Sequence, residues 1–523
     1  MFRRALPLCL CLSVSAAPLV AQSSASDRPL SAIDWLSDTL DAAPTPVAMP
    51  SKVAPPPDDI ADNALPEDVT VAPLEATQLD ATGLLPPSTT GLPRGLWGAS
   101  NAGDLARRIT SIAAEPDLLP ASRRLLNTLV LAELDPPAGE DKEGRLFLAR
   151  IDALLAQGLL EEADAMMERA GTTNREVFRR SFDTKLLLGT ENEACTRLTG
   201  TPGLSPTLPA RVFCLARAGD WNAAALTLNS GEALGLISET EVALLSRFLD
   251  PELFEGEPPL PVPALPSPLT LRMMEAIGEP LPTTALPLAF IHSDLRETTG
   301  WKARASAAER LARVGALSPN RWLGIWSEHL PAASGGIWDR IDALQHFETA
   351  LHSGDPGAVS SSLIPAWAAM RAAGLQTVFA DLFARRLATL PLTGAAATTA
   401  LEVALLSSSF ETIAARTDSA RDPKFGFLIA IALGDLPATV PSEPIFRTIA
   451  DGFRNDGVPV RLDNLVRERR LGEAILRAIE LLEGGAAGDL DELSDALQFF
   501  RAVGLEATAR RAALELVLLE RRG

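Results

Sequence analysis

The chain predicts an all-α protein, an α-solenoid of stacked helical hairpins that follows a disordered, Pro/Ala-rich N-terminal arm. Three observations carry this expectation. The composition of the 523 residues is rich in Ala and Leu, only 5% aromatic and without tyrosine, which favours helices over sheets. Apolar residues recur at spacings of three and four beyond about residue 101, between short helix stops. A Gly followed five residues later by Ala returns three times, with the glycines 31 and 30 residues apart. With 47% hydrophobic residues the chain is too apolar to be disordered throughout, and a formal net charge of −20 excludes a general nucleic-acid binder. Four cysteines are too few for a disulfide scaffold or a Cys-rich metal protein.

Residues 1–21 have the layout of a secretory signal peptide. Arg3 and Arg4 form a positive start, Ala5 to Val20 an apolar run, and Ala21-Gln22 a cleavage point followed by Ser23-Ser24. Retention of this segment as a membrane anchor is the alternative. Arginine far outnumbers lysine and alanine is abundant, which reads as a GC-rich bacterial genome. Together with the leader, this places the protein in the periplasm of a Gram-negative bacterium. Residues 22–99 are rich in Pro, Ala, Ser, Thr and Asp, and prolines recur too often for helix interiors. They are expected to form a disordered arm with two apolar islands. One contains Trp35 and Leu36; the other runs from Gly83 to Trp97. Such islands either dock on a partner or pack back on the protein's own first helices.

Residues 100–250 form the first predicted helical block and hold the repeat. Its landmarks are Gly158 with Ala163, Gly189 with Ala194, and Gly219 with Ala224. Each glycine ends an apolar helical segment and each alanine lies in the next. Glycine tolerates the positive φ of a helix stop, and alanine lets the second helix approach the first closely. Two helices cannot bury their apolar faces alone, so such units stack. At these residues the chain resembles the tetratricopeptide family of helical repeats, over roughly Leu146 to Leu234. The period is a few residues shorter than that family's, and its regular aromatic and terminal proline are missing. Cys195 follows the second-helix Ala of one unit and Cys214 lies in the first helix of the next. Those helices touch in a stacked array, so a disulfide is reachable; two buried thiols are the alternative.

Residues 251–287 are again Pro-rich and read as a stiff joint around one short helix, and residues 288–523 as a second helical-repeat block. Trp322 and Trp326 share a helix face, with Trp338 close in sequence. They are either partner-binding anchors on a concave face, along with Trp35, Leu36 and Trp97, or ordinary core. The chemistry of catalysis is thin. Four histidines lie outside any His-Glu-x-x-His pattern, and no Gly-x-Ser-x-Gly elbow, Ser-x-x-Lys pair or Walker loop is present. No cofactor is expected. The arginine pairs 107–108, 385–386 and 469–470 are interleaved with acids and read as solvated helix faces. The sequence therefore points to a non-enzymatic periplasmic scaffold or chaperone that binds protein partners of a cell-envelope machine, such as a flagellar-motor or secretion accessory. It would bind no nucleic acid and reach the membrane only through its partners. The alternatives are a cell-wall-acting enzyme using unrecognised carboxylates and a purely structural envelope protein.

Overall fold

The structure is a computed structural model that describes residues 78–138, 144–417, 422–435 and 439–519. The expected leader, the arm up to residue 77, and Trp35 and Leu36 within it lie outside the described residues. The described residues are all-α: helices joined by short turns, with no strand and one isolated bridge between Leu85 and Ala132.

The three Gly/Ala units fold as helical hairpins. Arg145–Ala156 turns into Leu160–Ala170, Arg175–Leu188 into Glu191–Gly200, and Leu208–Arg217 into Trp221–Ala233. Gly158, Gly189 and Gly219 hold φ of +77°, +82° and +83° at the turns, a region where a side chain costs energy. Ala163, Ala194 and Ala224 are buried at the second-helix positions. Consecutive helices pack against one another through Glu239–Leu249. Several helices are capped by their own sequence: Asn101, Asn174 and Asp220 accept from N–H groups of the first turn, and Ser238 with Glu241 forms a capping box.

Two expectations about the chain's organisation are corrected. Residues 78–99 are not a continuation of the arm. The island from Gly83 to Trp97 packs back on the protein, with Leu92, Leu96 and Trp97 in its core. Residues 251–287 are more than a stiff joint: Leu269, Leu271, Met273, Met274 and Leu281 lie in the same core as the repeat block. Their helix, Pro268–Ala276, lies against Arg175–Leu188. Arg296 reinforces the attachment by donating to the terminal carbonyls of that helix, Leu186 O at 3.0 Å and Leu187 O at 3.3 Å. One hydrophobic core unites residues between 92 and 290 with residues between 405 and 514, and a second core lies within 291–406. The middle of the chain thus has its own core, while its beginning and end share one.

The closure of the two ends is made by specific groups. Pro120–Leu131 has no capping side chain from its own sequence, since its N-cap is Leu119. Glu515, in the last described helix Glu506–Leu518, accepts the Ala121 N–H at 2.6 Å and pairs with Arg124. Glu483, at the end of Leu471–Ala486, accepts the Leu119 N–H at 3.0 Å. Both carboxylates sit at the positive pole of a helix that begins 360 or more residues earlier in the chain. Arg108 donates to both oxygens of Glu480 at 2.8 and 2.6 Å. Gly472 donates its N–H to Leu96 O at 2.8 Å beneath the Trp97 ring, where an added Cβ would lie 2.4 Å from the indole.

The middle is tied to the repeat block by His292. It lies in the 3-10 segment Leu288–Leu295, and its Nε2–H donates to Gly158 O at 2.6 Å. Burial holds this imidazole below its ordinary pKa, opposed by the Gly158 carbonyl and Glu161 and assisted by Arg321.

Two predictions follow from these contacts. Replacing Glu515 by Ala removes a cap supplied from far along the chain and the partner of Arg124, and should destabilise the fold by about 2 kcal/mol in urea unfolding; an unchanged midpoint would show that closure does not depend on it. Because His292 is held neutral in the fold but protonates near 6.5 when unfolded, its contribution is complete above that pH and is lost as pH falls from there toward its folded value. The stability difference between wild type and His292→Gln should therefore shrink from pH 7.5 to pH 5.5, read by urea unfolding at each pH.

Candidate functional site

The described residues contain a cavity of about 850 Å³ where separate parts of the chain meet. Its wall is drawn from the turns at 116–120, 312–319 and 371–378, from Ala486 and Ala487, and from Leu519. These turns join Ala102–Ala113 to Pro120–Leu131, Trp301–Arg313 to Pro319–Trp326, and Pro356–Ala373 to Gln376–Leu387. Hairpin turns are polar and carry the side chains of the first and last helical turns, so their convergence concentrates charge in one place.

That charge is mixed, with arginines prominent on the wall and acids beside them, among them Glu309 paired to Arg313 at 3.3 Å and Glu515 paired to Arg124. Arg123, Arg124, Arg313 and Arg371 line the cavity, against Asp117 and Asp381. Arg123 is buried and donates through Nη2 to Pro116 O at 3.2 Å. Burial holds its guanidinium below the usual arginine range, opposed by Glu483 and Asp117. Arg313 crosses Gly374, which has φ of +74°, and donates through Nε to Ala373 O at 2.7 Å. Asp381 accepts the Ser408 N–H at 2.6 Å. Just behind the wall, Arg511 lies over the Phe410 ring at 5.5 Å. Burial, then the positive charge of Arg124, pushes its guanidinium down. Burial pushes the Glu515 carboxyl up, against the pull of Arg124 and the Ala121 N–H. The Asn127 Oδ1 is buried on the same wall with no hydrogen-bond partner.

Chemically this arrangement supplies N–H donors. No histidine or cysteine lines the cavity, and Ser318 already serves as an N-cap, accepting the Arg321 N–H at 3.3 Å. The acids of the wall are Asp117 and Asp381. A smaller cavity of about 310 Å³ beside Pro251–Phe254 is lined by Glu252, Glu255, Glu257, Glu279 and Arg247; Arg247 is already paired with Glu257 and Glu279. Among the described residues no group of three or more His, Cys, Asp and Glu is placed to hold a metal ion, and no helix is long and apolar enough to cross a membrane.

The structure disposes of the aromatic candidates differently from the partner-binding reading. Trp97, Trp322 and Trp326 are fully buried and present no surface to a partner. Trp322 and Trp326 pack with their rings tilted by 47° and centroids 4.8 Å apart, and Trp326 donates its Nε1–H to Ala305 O at 3.0 Å. Their spacing of four puts both on the face that Pro319–Trp326 turns toward the core. Trp338 is half-buried and packs on Trp301, centroids 5.0 Å apart. Cys195 and Cys214 are joined, with Cα atoms 5.0 Å apart, and clamp Glu191–Gly200 to Leu208–Arg217.

Sequence reasoning missed the cavity arginines. One signal was available: Pro120–Leu131 reads PASRRLLNTLVL, with an arginine pair and no acid to answer it. The arginine pairs noted from sequence behave variously. Arg107 is exposed, but Arg108 reaches Glu480, Arg385 donates to Ser409 Oγ and Arg386 to Leu351 O. Comparison with protein families, with curated proteins and with solved structures finds no match for this chain.

The disulfide closes a loop whose ends are 19 residues apart. Loop-closure entropy sets its expected worth at about 3 kcal/mol. The Cys195→Ala/Cys214→Ala variant should unfold at correspondingly lower urea without losing helical circular dichroism at zero urea; a variant as stable as wild type would contradict this.

Proposed function

We propose that this protein is an exported, non-enzymatic helical-repeat scaffold whose stacked hairpins form a solenoid that binds a protein partner in the cell envelope. The observation that carries the reading is a set of exposed apolar side chains on the third hairpin. Trp221, Leu226, Leu234 and Leu236 are 52%, 67%, 72% and 60% exposed along Trp221–Ala233 and the turn that ends it. From Trp221 to Leu236 only Glu232 carries charge, in a chain that is 22% charged. Large exposed apolar side chains gathered on one helix are the usual mark of a protein-binding surface.

The leader at 1–21 supports a periplasmic address, and the acidic balance supports a partner with a basic surface. The arm with Trp35 and Leu36 offers a second attachment, which would let the protein bridge two components. A cell-wall enzyme would need a pair of carboxylates facing a cleft. The two carboxylates that line the large cavity, Asp117 and Asp381, stand among four arginines, and Asp381 already accepts the Ser408 N–H, which favours binding over hydrolysis.

The test is crosslinking of tagged, exported protein in cells, followed by mass spectrometry. Wild type should capture one or two stoichiometric envelope partners. Trp221→Ser/Leu226→Asp, at exposed positions that leave the core intact, should lower that capture by about tenfold. Capture that is unaffected by this pair, or recovery of the protein alone, would overturn the reading.

A further inference from the structure

We propose that the arginine-lined cavity is a binding site for a multiply charged oxyanion, a small molecule carrying phosphoryl or carboxylate groups. This stands apart from the partner-binding face, which lies on a different hairpin and is apolar.

Four guanidiniums and two aspartates line one cavity, with Glu309 paired to Arg313 and Glu515 to Arg124. A guanidinium carries five N–H donors, more than these acids and carbonyls use, so the recess keeps N–H donors for an acceptor-rich ligand. The arginines are also held in place. Arg313 lies across Gly374 with its Nε on Ala373 O, Arg123 is anchored on Pro116 O, and Arg124 is paired with the buried Glu515. Pre-positioned guanidiniums bind an oxyanion at small entropic cost, and each presents planar, paired N–H donors that match phosphoryl and carboxylate oxygens.

Size points the same way. About 850 Å³ is in the range of a small-molecule site and larger than a single phosphate needs. The donors come from three distant segments, at Arg123 and Arg124, at Arg313, and at Arg371. An anion bridging them would join the beginning of the chain to its middle, so binding should stabilise the folded state by mass action.

The experiment titrates pyrophosphate and, separately, citrate into the purified full-length chain in low-salt, metal-free buffer, read by calorimetry and thermal unfolding. At least one probe should bind saturably and raise the melting temperature, and the preferred probe identifies phosphoryl or carboxylate chemistry. Arg313→Gln/Arg371→Gln should weaken that binding by about tenfold or more. Arg107→Gln/Arg467→Gln, at side chains 76% and 75% exposed, should leave it unchanged. Absence of saturable binding for both probes, or equal losses in the two double variants, would overturn the proposal. If the cavity variant does not fold, hydrogen exchange of the wild type decides: slowing at 116–127 and 371–381 on adding the probe supports the site, and slowing only elsewhere refutes it.

Discussion

A helix that cannot cap itself governs the closed arrangement of this chain. Pro120–Leu131 begins with Leu119 and Pro120, neither of which can accept a hydrogen bond through its side chain, so its first N–H groups need acceptors from elsewhere. Glu483 and Glu515 provide them from the far end of the sequence. Glu515 is buried, and a buried carboxylate is tolerated only where donors surround it; the Ala121 N–H and the Arg124 guanidinium do so. Around this joint, Arg108 with Glu480 and Trp97 over Gly472 complete a seam between the first helices and the last. The cavity, which needs walls from 116–127, 312–319 and 371–381, exists because that seam is closed.

Inside the repeat block the same economy of ionic groups holds the stack in register. Asp152 and Arg180 are both buried and meet at 2.6 Å, and Glu176 supplies a second acceptor to Arg180 at 2.9 Å. Lys185 reaches Asp164 and Glu193 at 2.9 Å and Glu168 at 3.2 Å, linking three helices. Arg150, wholly buried, donates to the carbonyls of Val130, Ala132 and Asp80 at 2.8, 2.7 and 3.1 Å. Burial pushes its guanidinium down to about 10, opposed by Asp80, so it remains charged at neutral pH. Such groups add little net stability over an apolar filling, because desolvation offsets most of the attraction. Their directional bonds fix which helix lies against which in a core otherwise made of interchangeable Leu and Ala.

Two surfaces of opposite character result. One is the outer side of Trp221–Ala233, where Trp221 and Leu226 are exposed and Glu232 is the one charge. The other is the recess where arginines converge. We propose a protein partner for the first and an anion for the second, whose walls the closed seam brings together. A ligand there would act on architecture as well as occupy space.

Local chemistry made much of the fold legible in sequence. The glycine stops, the alanine contacts five residues on and the apolar spacing predict hairpins at Gly158, Gly189 and Gly219, because each depends on backbone conformation within one turn. The proximity of Cys195 and Cys214 followed from that stacking, although the choice between a bridge and two thiols did not. Other features were open at the sequence level for a physical reason: they pair residues hundreds of positions apart. Whether the Gly83–Trp97 island docks or self-packs depends on Gly472, and whether Trp322 and Trp326 are anchors or core depends on which face the second core covers. The cavity arginines were hidden for the same reason. A guanidinium at 123 and another at 313 or 371 become neighbours only when the turns that carry them converge, and periodicity within a helix carries no information about which distant turn it will meet.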